Sequence, residues 1–234
     1  MEEPFTLHVE DRKICGVLHL PSRNNPPFVI TCHGLFSSKQ SDKFVAIAKR
    51  FTSEGIAVIR FDFGGCGESS GSISNTTVSG RLRELKKVVL FATNHPKLGK
   101  KFGILGSSLG GFISLFYAAR NPVSALSVWA TPFDLSEVFE NAPKSDLSVL
   151  KKQFFTDAEN YSLSSLLEKT HTVQVIHGKL DETVPWRHAE KIFSIAKDPK
   201  KLAIIPGADH SISRSDDRDR AINVSLAWFK GHIF

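Results

Sequence analysis

Short apolar runs, spaced so that one helix fits between neighbours, constrain this chain more than any other feature. Phe28-Val29-Ile30-Thr31-Cys32 is apolar almost throughout, as in a strand buried on both faces. Comparable runs follow at 56–61, 101–105, 125–130, 173–176 and 202–205. Between them the apolar spacing becomes helical: over 43–53 (Phe44, Ile47, Ala48 and Phe51 on one face), 78–94, 112–120, 187–196 and finally 219–229. Repeated strand–helix units require a mostly parallel sheet with helices on both faces. Ahead of them, 5–10 and 14–20 read as an antiparallel edge hairpin around Asp11-Arg12, and 22–27 is a Pro/Asn-rich loop. The expected class is α/β, with about eight strands.

One interval breaks the rhythm. Some forty residues separate the runs ending near Ala130 and starting near Thr172, whereas a plain crossover needs about a dozen. Helical pieces are expected around 135–139, 147–155 and 164–169. The excess reads as a small lid insertion at 132–171, carried by a single domain over 1–234.

Within the alternation, Gly106-Ser107-Ser108-Leu109-Gly110-Gly111 joins the strand at 101–105 to a helix stopped by Asn121-Pro122. So fast a turn strains the residue at the bend, Ser108, and side chains at Gly106 or Gly110 would clash. The hydroxyl is lifted beside the Leu109 N–H and the start of the helix. This is the arrangement of a nucleophile elbow, G-x-S-x-G.

Ligands of open α/β sheets sit beyond the carboxyl ends of the strands. His33-Gly34-Leu35-Phe36 follows the first buried run, and its glycine lets the Leu35 N–H turn into the site. With the Leu109 N–H it makes a two-donor oxyanion hole, His33 being a structural residue that orients the loop. After 173–176 comes His177-Gly178-Lys179-Leu180-Asp181, and after 202–205 comes Pro206-Gly207-Ala208-Asp209-His210. Serine, acid and base thus occur in the order Ser108, Asp181, His210, each behind a parallel strand. Glu182, Asp209 and Asp134 are the other carboxylates that remain open as the acid, and Asp181 by itself could equally cap the helix that follows. Candidate pocket walls are Phe36, Phe133, Phe154 and Trp186, with Phe155 beside Phe154; Trp129 reads equally well as core.

Composition narrows the alternatives. A net charge of +6 arises from scattered lysine doublets with no interleaved aromatics, so nucleic acid is not an expected partner. No apolar run approaches a membrane span, and the acidic Met1-Glu2-Glu3-Pro4 is no secretory signal. Cys15, Cys32 and Cys66 cannot all pair and lack metal spacing, which reads as reduced thiols in a cytoplasmic protein. No metal or cofactor is implied. Oligomeric state is open, a homodimer included.

Taken together, the chain resembles the α/β-hydrolase superfamily over nearly its whole length. More narrowly it is similar to small bacterial and archaeal carboxylesterases related to cinnamoyl (feruloyl) esterases. That likeness rests on His33-Gly34, the run Arg60-Phe61-Asp62-Phe63-Gly64-Gly65-Cys66-Gly67-Glu68-Ser69, the elbow, Ile176-His177-Gly178 through Pro185, and Gly207-Ala208-Asp209-His210. The interval 131–171 looks shorter than those esterases' lid, so the resemblance does not carry their aromatic specificity over to this chain. The expected activity is serine ester hydrolysis of short- to medium-chain acyl or aryl esters, with a small-molecule ester as partner. The rivals are a peptidase or amidase reading a peptide terminus with Glu137, Glu140 or Glu159, a thioesterase, and a catalytically silent binding module.

Overall fold

The computed structural model describes residues 1–142 and 147–234. Eight strands, β1 (Glu2–Val9), β2 (Arg12–His19), β3 (Phe28–Cys32), β4 (Ala57–Phe61), β5 (Phe102–Ser107), β6 (Ala125–Trp129), β7 (Val173–Gly178) and β8 (Lys200–Ile205), form one sheet in the order β1-β2-β4-β3-β5-β6-β7-β8. The pairs β1–β2 and β2–β4 are antiparallel and all others parallel. The helices that lie wholly within the described residues are α1 (Asp42–Ser53), α2 (Val78–Thr93), α3 (Leu109–Ala118), α4 (Leu135–Asn141), α5 (Lys152–Ala158), α6 (Arg187–Ile195) and α7 (Ser215–Ile233). No helix among the described residues is long and apolar enough to cross a membrane.

Every residue of β3, β4, β5, β6 and β7 is buried, whereas β1 alternates between exposed and half-buried positions as an edge strand with one wet face. Successive side chains of the buried strands feed two separate cores. Ile30, Ile104, Val128 and Val175 pack toward α2, α3 and α6. Val29, Leu105, Trp129 and Ile176 pack toward α1 and α7. Close contact on that second face needs bare backbone: a Cβ at Gly103 would lie 2.3 Å from the Phe229 ring. Burying a side chain such as Phe229 contributes about 1.5–3 kcal/mol.

The elements depart from the sequence expectation mainly at their ends. The hairpin turns at Glu10-Asp11, one residue early, because Val9 pairs with Arg12 and Glu10 takes the left-handed φ of 54°. Helix α7 runs well beyond 219–229 in both directions. Its first turn carries Asp216 and Asp217 and its last Lys230 and His232, charges that complement the helix dipole but contribute nothing to an apolar pattern.

Between β6 and β7, α4, α5 and a 3-10 turn at Leu167–Lys169 supply the expected helical pieces. The middle piece is broken: Leu147 is helical, a turn follows at 148–150, and α5 begins at Lys152. Positions 143–146 of the interval 132–171 lie outside the described residues. Asp134 caps α4, its Oδ1 accepting from the Ser136 and Glu137 amides at 2.9 and 3.4 Å. Leu135, Phe154, Leu163 and Leu167 from this interval join the core that contains α2 and α3.

Candidate active site

Ser108 stands between the last residue of β5 and the first of α3, with φ 54° and ψ −126°. A side-chain-bearing residue held there is strained, and the surrounding packing imposes the strain. A Cβ at Gly106 would approach the Gly110 carbonyl oxygen to 2.5 Å, and one at Gly110 the Cys32 carbonyl oxygen to 2.1 Å. Only glycine lets α3 sit this close to β3 and β5. The Ser108 N–H is spent on the Trp129 carbonyl at 2.8 Å, tying the bend to β6.

Three of the residues expected at the site meet in one hydrogen-bonded chain. His210 Nε2 lies 3.1 Å from Ser108 Oγ, and His210 Nδ1 lies 2.8 and 3.0 Å from Asp181 Oδ2 and Oδ1. Asp181 Oδ1 also accepts from the amides of Thr183 and Val184 at 3.0 and 2.7 Å, so the carboxylate orders its own loop. The alternatives go elsewhere. Glu182 is exposed, Asp209 accepts from Ser213 through both its N–H and Oγ, and Asp134 is the α4 cap.

A second imidazole supports the acid. His177, fully buried at the end of β7, has its Nε2 3.0 Å from Asp181 Oδ2 and 2.8 Å from the Val184 carbonyl, so this nitrogen carries the proton and donates to both. Burial would raise the Asp181 pKa, but hydrogen bonds from His177 and His210 outweigh it and hold it at about 2. The carboxylate is therefore ionised at any pH where an imidazole titrates.

The loop after β3 is built with equal care. His33 Nδ1 donates to the Gly34 carbonyl at 2.7 Å, and its Nε2 accepts the Phe63 N–H at 2.9 Å, which fixes the neutral tautomer. Burial, reinforced by the charge of Arg81, pushes His33 down to about 3. Arg81 is buried on α2 and donates from Nη1 to the Gly34 carbonyl at 3.2 Å and from Nη2 to the Leu35 carbonyl at 3.1 Å. Because a trans peptide directs C=O and N–H oppositely, the Leu35 N–H points away from Arg81. Gly34 adjoins Ser108 directly: a Cβ there would lie 3.3 Å from the Ser108 Cβ. Leu109, first residue of α3, has an N–H with no intrahelical acceptor.

The loop at 62–69 braces this arrangement from behind. Asp62 accepts from Lys39 Nζ at 2.6 Å, from the Lys39 N–H at 2.7 Å and from the Glu68 N–H at 2.9 Å. A Cβ on Gly67 (φ 51°) would stand 2.2 Å from that carboxylate. Neither Arg81 nor His177 was singled out for a role from the sequence.

A cavity of about 780 Å³ opens over Ser108 and His210. Gly34, Leu35, Phe36, Pro132, Leu135 and Phe139 are among its walls, and its volume suits a small organic ligand. Of the four expected wall residues only Phe36 is there. Phe154 is fully buried against Phe139 and Phe155, with ring centroids 5.3 and 5.4 Å apart. Phe133 and Trp186 lie outside the cavity under the Lys191 and Lys179 ammoniums, 5.6 and 5.5 Å from their ring centroids. Trp129 is core, since strand alternation turns it to the sheet face opposite α3, where its Nε1 donates to Ser225 at 3.0 Å.

Known proteins share this fold. The solved structure of Est1E from Butyrivibrio proteoclasticus with ferulic acid bound superposes with a TM-score of 0.88 at 20% identity, over 98% of this chain and 99% of that one. The uncharacterized protein YfhR of Escherichia coli is 26% identical over 162 residues, 68% of this chain; the chain spans only about half of that relative, 55% of its length. Mouse mitochondrial palmitoyl-protein thioesterase ABHD10 is 24% identical over 220 residues, 83% of this chain and 72% of that protein. A family model described as the alpha/beta hydrolase fold matches residues 27–160, from β3 through the Ser108 bend and beyond α5. With a match over more than half its residues, including the His33–Leu35 loop and the Ser108 bend, the chain belongs to the alpha/beta hydrolase family.

Proposed function

We propose that the protein is a serine hydrolase that cleaves carboxylic esters with short- to medium-chain acyl or aryl groups. The observation that carries this reading is the unbroken chain Ser108 Oγ–His210–Asp181, at a strained bend that opens into the cavity. In this mechanism His210 Nε2 takes the Ser108 proton as Oγ attacks the substrate carbonyl. Asp181 holds Nδ1–H and stabilises the imidazolium. The Leu35 and Leu109 amides receive the oxyanion, Arg81 and His33 keeping the Gly34–Leu35 peptide turned toward it. His210 then protonates the leaving alcohol, and water activated by the same imidazole releases the acyl group from Ser108.

The interval between β6 and β7 serves as a lid whose α4 walls the cavity. Three free and buried cysteines support a reducing, cytoplasmic setting. Against the peptidase rival, Glu140 and Glu159 are exposed outside the cavity, and Glu137 is ion-paired with Arg187. Thioester cleavage is the second reading, favoured by the similarity to ABHD10.

A panel of matched 4-nitrophenyl esters, alkyl thioesters and anilides tests the assignment. Ester turnover should exceed amide turnover, and Ser108→Ala should reduce it by about 10³-fold or more. Turnover of anilides above esters, or an active Ser108→Ala, overturns it.

A further inference from the structure

The two walls of the cavity differ in chemistry. Leu135, Val138 and Phe139 of α4 make one wall apolar. The other is built from the leading turns of α1 and α7, where Ser41, Lys43 and Arg218 face the same space. Both helices present their N-terminal, positive dipole ends to it.

The donors on this second wall lack charged partners. Lys43 Nζ bonds the hydroxyl of Ser107, the neighbour of Ser108, at 3.1 Å. Among the described residues no carboxylate lies within ion-pair distance of Lys43 or Arg218. Arg218 donates Nη1 to the Ser213 carbonyl at 3.2 Å, while its Nε and the Ser41 Oγ are buried with no hydrogen-bond partner among the described residues. Asp42 and Glu182 also reach the cavity but are exposed at its rim. Burial lowers Lys43 to about 8, opposed by the carboxylates of Asp209 and Asp181, so it remains a cation near neutral pH. Buried donors left without an acceptor are costly, and a bound anion would satisfy several at once.

We infer that the substrate is an ester with an anionic group, carboxylate or phosphate, held against Lys43 and Arg218 while its apolar part lies along α4. The inference rests on the serine hydrolase reading. It makes α1 and α7 the charge-reading side of the site.

Two pairs of esters test it in the wild-type protein at low salt, each rate corrected for the ester's reactivity with hydroxide. One pair sets mono-4-nitrophenyl glutarate against 4-nitrophenyl hexanoate, with the charge in the acyl half. The other sets the butyrate ester of 4-hydroxybenzoate against that of 4-hydroxybenzamide, with the charge in the leaving half. In at least one pair kcat/KM should favour the anion by about tenfold, the preferred pair identifying which half carries the charge. That ratio should fall toward one in Lys43→Met and in Arg218→Gln, and with rising ionic strength in the wild type. Lys43→Arg should restore part of it. Neutral esters preferred in both pairs, or an anion preference unmoved by ionic strength, overturns the inference while leaving the hydrolase reading intact. Should either variant fail to fold, the ionic-strength series on the wild type decides. A wild type that cleaves none of the four esters and takes up no fluorophosphonate removes the hydrolase reading and this inference together.

Discussion

Acidification should weaken the fold at His33. In the folded state its Nε2 accepts the Phe63 N–H and its Nδ1–H is spent on Gly34, so an added proton replaces an acceptor with a donor facing a donor. Burial and the neighbouring Arg81 charge move its pKa from 6.5 to about 3. An unfolded chain binds that proton near pH 6.5, whereas the folded chain refuses it until about pH 3, so stability falls as pH drops between the two. Once the unfolded imidazole is fully protonated, each further pH unit costs about 1.4 kcal/mol, which amounts to about 3 kcal/mol between pH 7.5 and 4.5. Urea unfolding of the wild type and of His33→Gln, measured from pH 7.5 to 4.5, isolates the effect. The variant starts less stable, yet the gap between the two should shrink by about 3 kcal/mol on acidification, because glutamine does not titrate there. A gap that stays constant over that range refutes the neutral, hydrogen-bonded imidazole on which the loop's geometry depends.

Other outcomes follow from the same contacts. Arg81→Leu removes the donors that hold the Gly34 and Leu35 carbonyls and should lower kcat by about 10–10³-fold with a smaller change in KM, as loss of an aimed amide does; equal kcat in steady-state assays would free the loop from Arg81. Asp181→Asn should cost activity by about 10³-fold or more, whereas Glu182→Gln, Asp209→Asn and Asp134→Asn should stay within a few fold; a collapse in one of the latter would move the acid. Because Asp181 is held at about 2 against an ordinary 3.8, it contributes about 2 kcal/mol above pH 4 that is lost as pH falls to about 2, a loss that differential unfolding against Asp181→Asn should reveal. With a cavity of about 780 Å³, kcat/KM should rise from acetyl to butyryl or hexanoyl esters and fall for chains of about twelve carbons, gaining about 0.8 kcal/mol per buried methylene until the space is full. Highest activity on emulsified long-chain triglyceride would contradict that limit.

Strand ends were the legible part of this molecule. Ser108, Asp181 and His210 each follow an apolar run whose burial forces a strand, so their convergence comes from topology rather than from side-chain detail. What sequence left open was decided by local hydrogen bonding. Asp134 and Asp181 both sit after strands, and only the amides of Ser136 and Glu137 reveal the first as a helix cap. Arg81 was hidden because α2 also carries Arg83, Lys86 and Lys87 and reads as a solvated charged helix. A signal existed all the same. Val78, Arg81, Leu85, Val88 and Ala92 recur at helical spacing, which places the arginine on the buried stripe. Pocket aromatics were the least legible, since Phe154 and Trp129 fill cores with the same residue type that lines a cavity.

The central claim is that the Ser108 hydroxyl is the attacking atom, and covalent labelling tests it most directly. The purified protein, treated with a fluorophosphonate, should gain one adduct by intact mass. Fragmentation must separate Ser108 from Ser107, whose hydroxyl is engaged by Lys43. The account predicts the adduct on Ser108, its loss in Ser108→Ala and much slower labelling in His210→Ala. An adduct on Ser107, or undiminished labelling of Ser108→Ala, would contradict it.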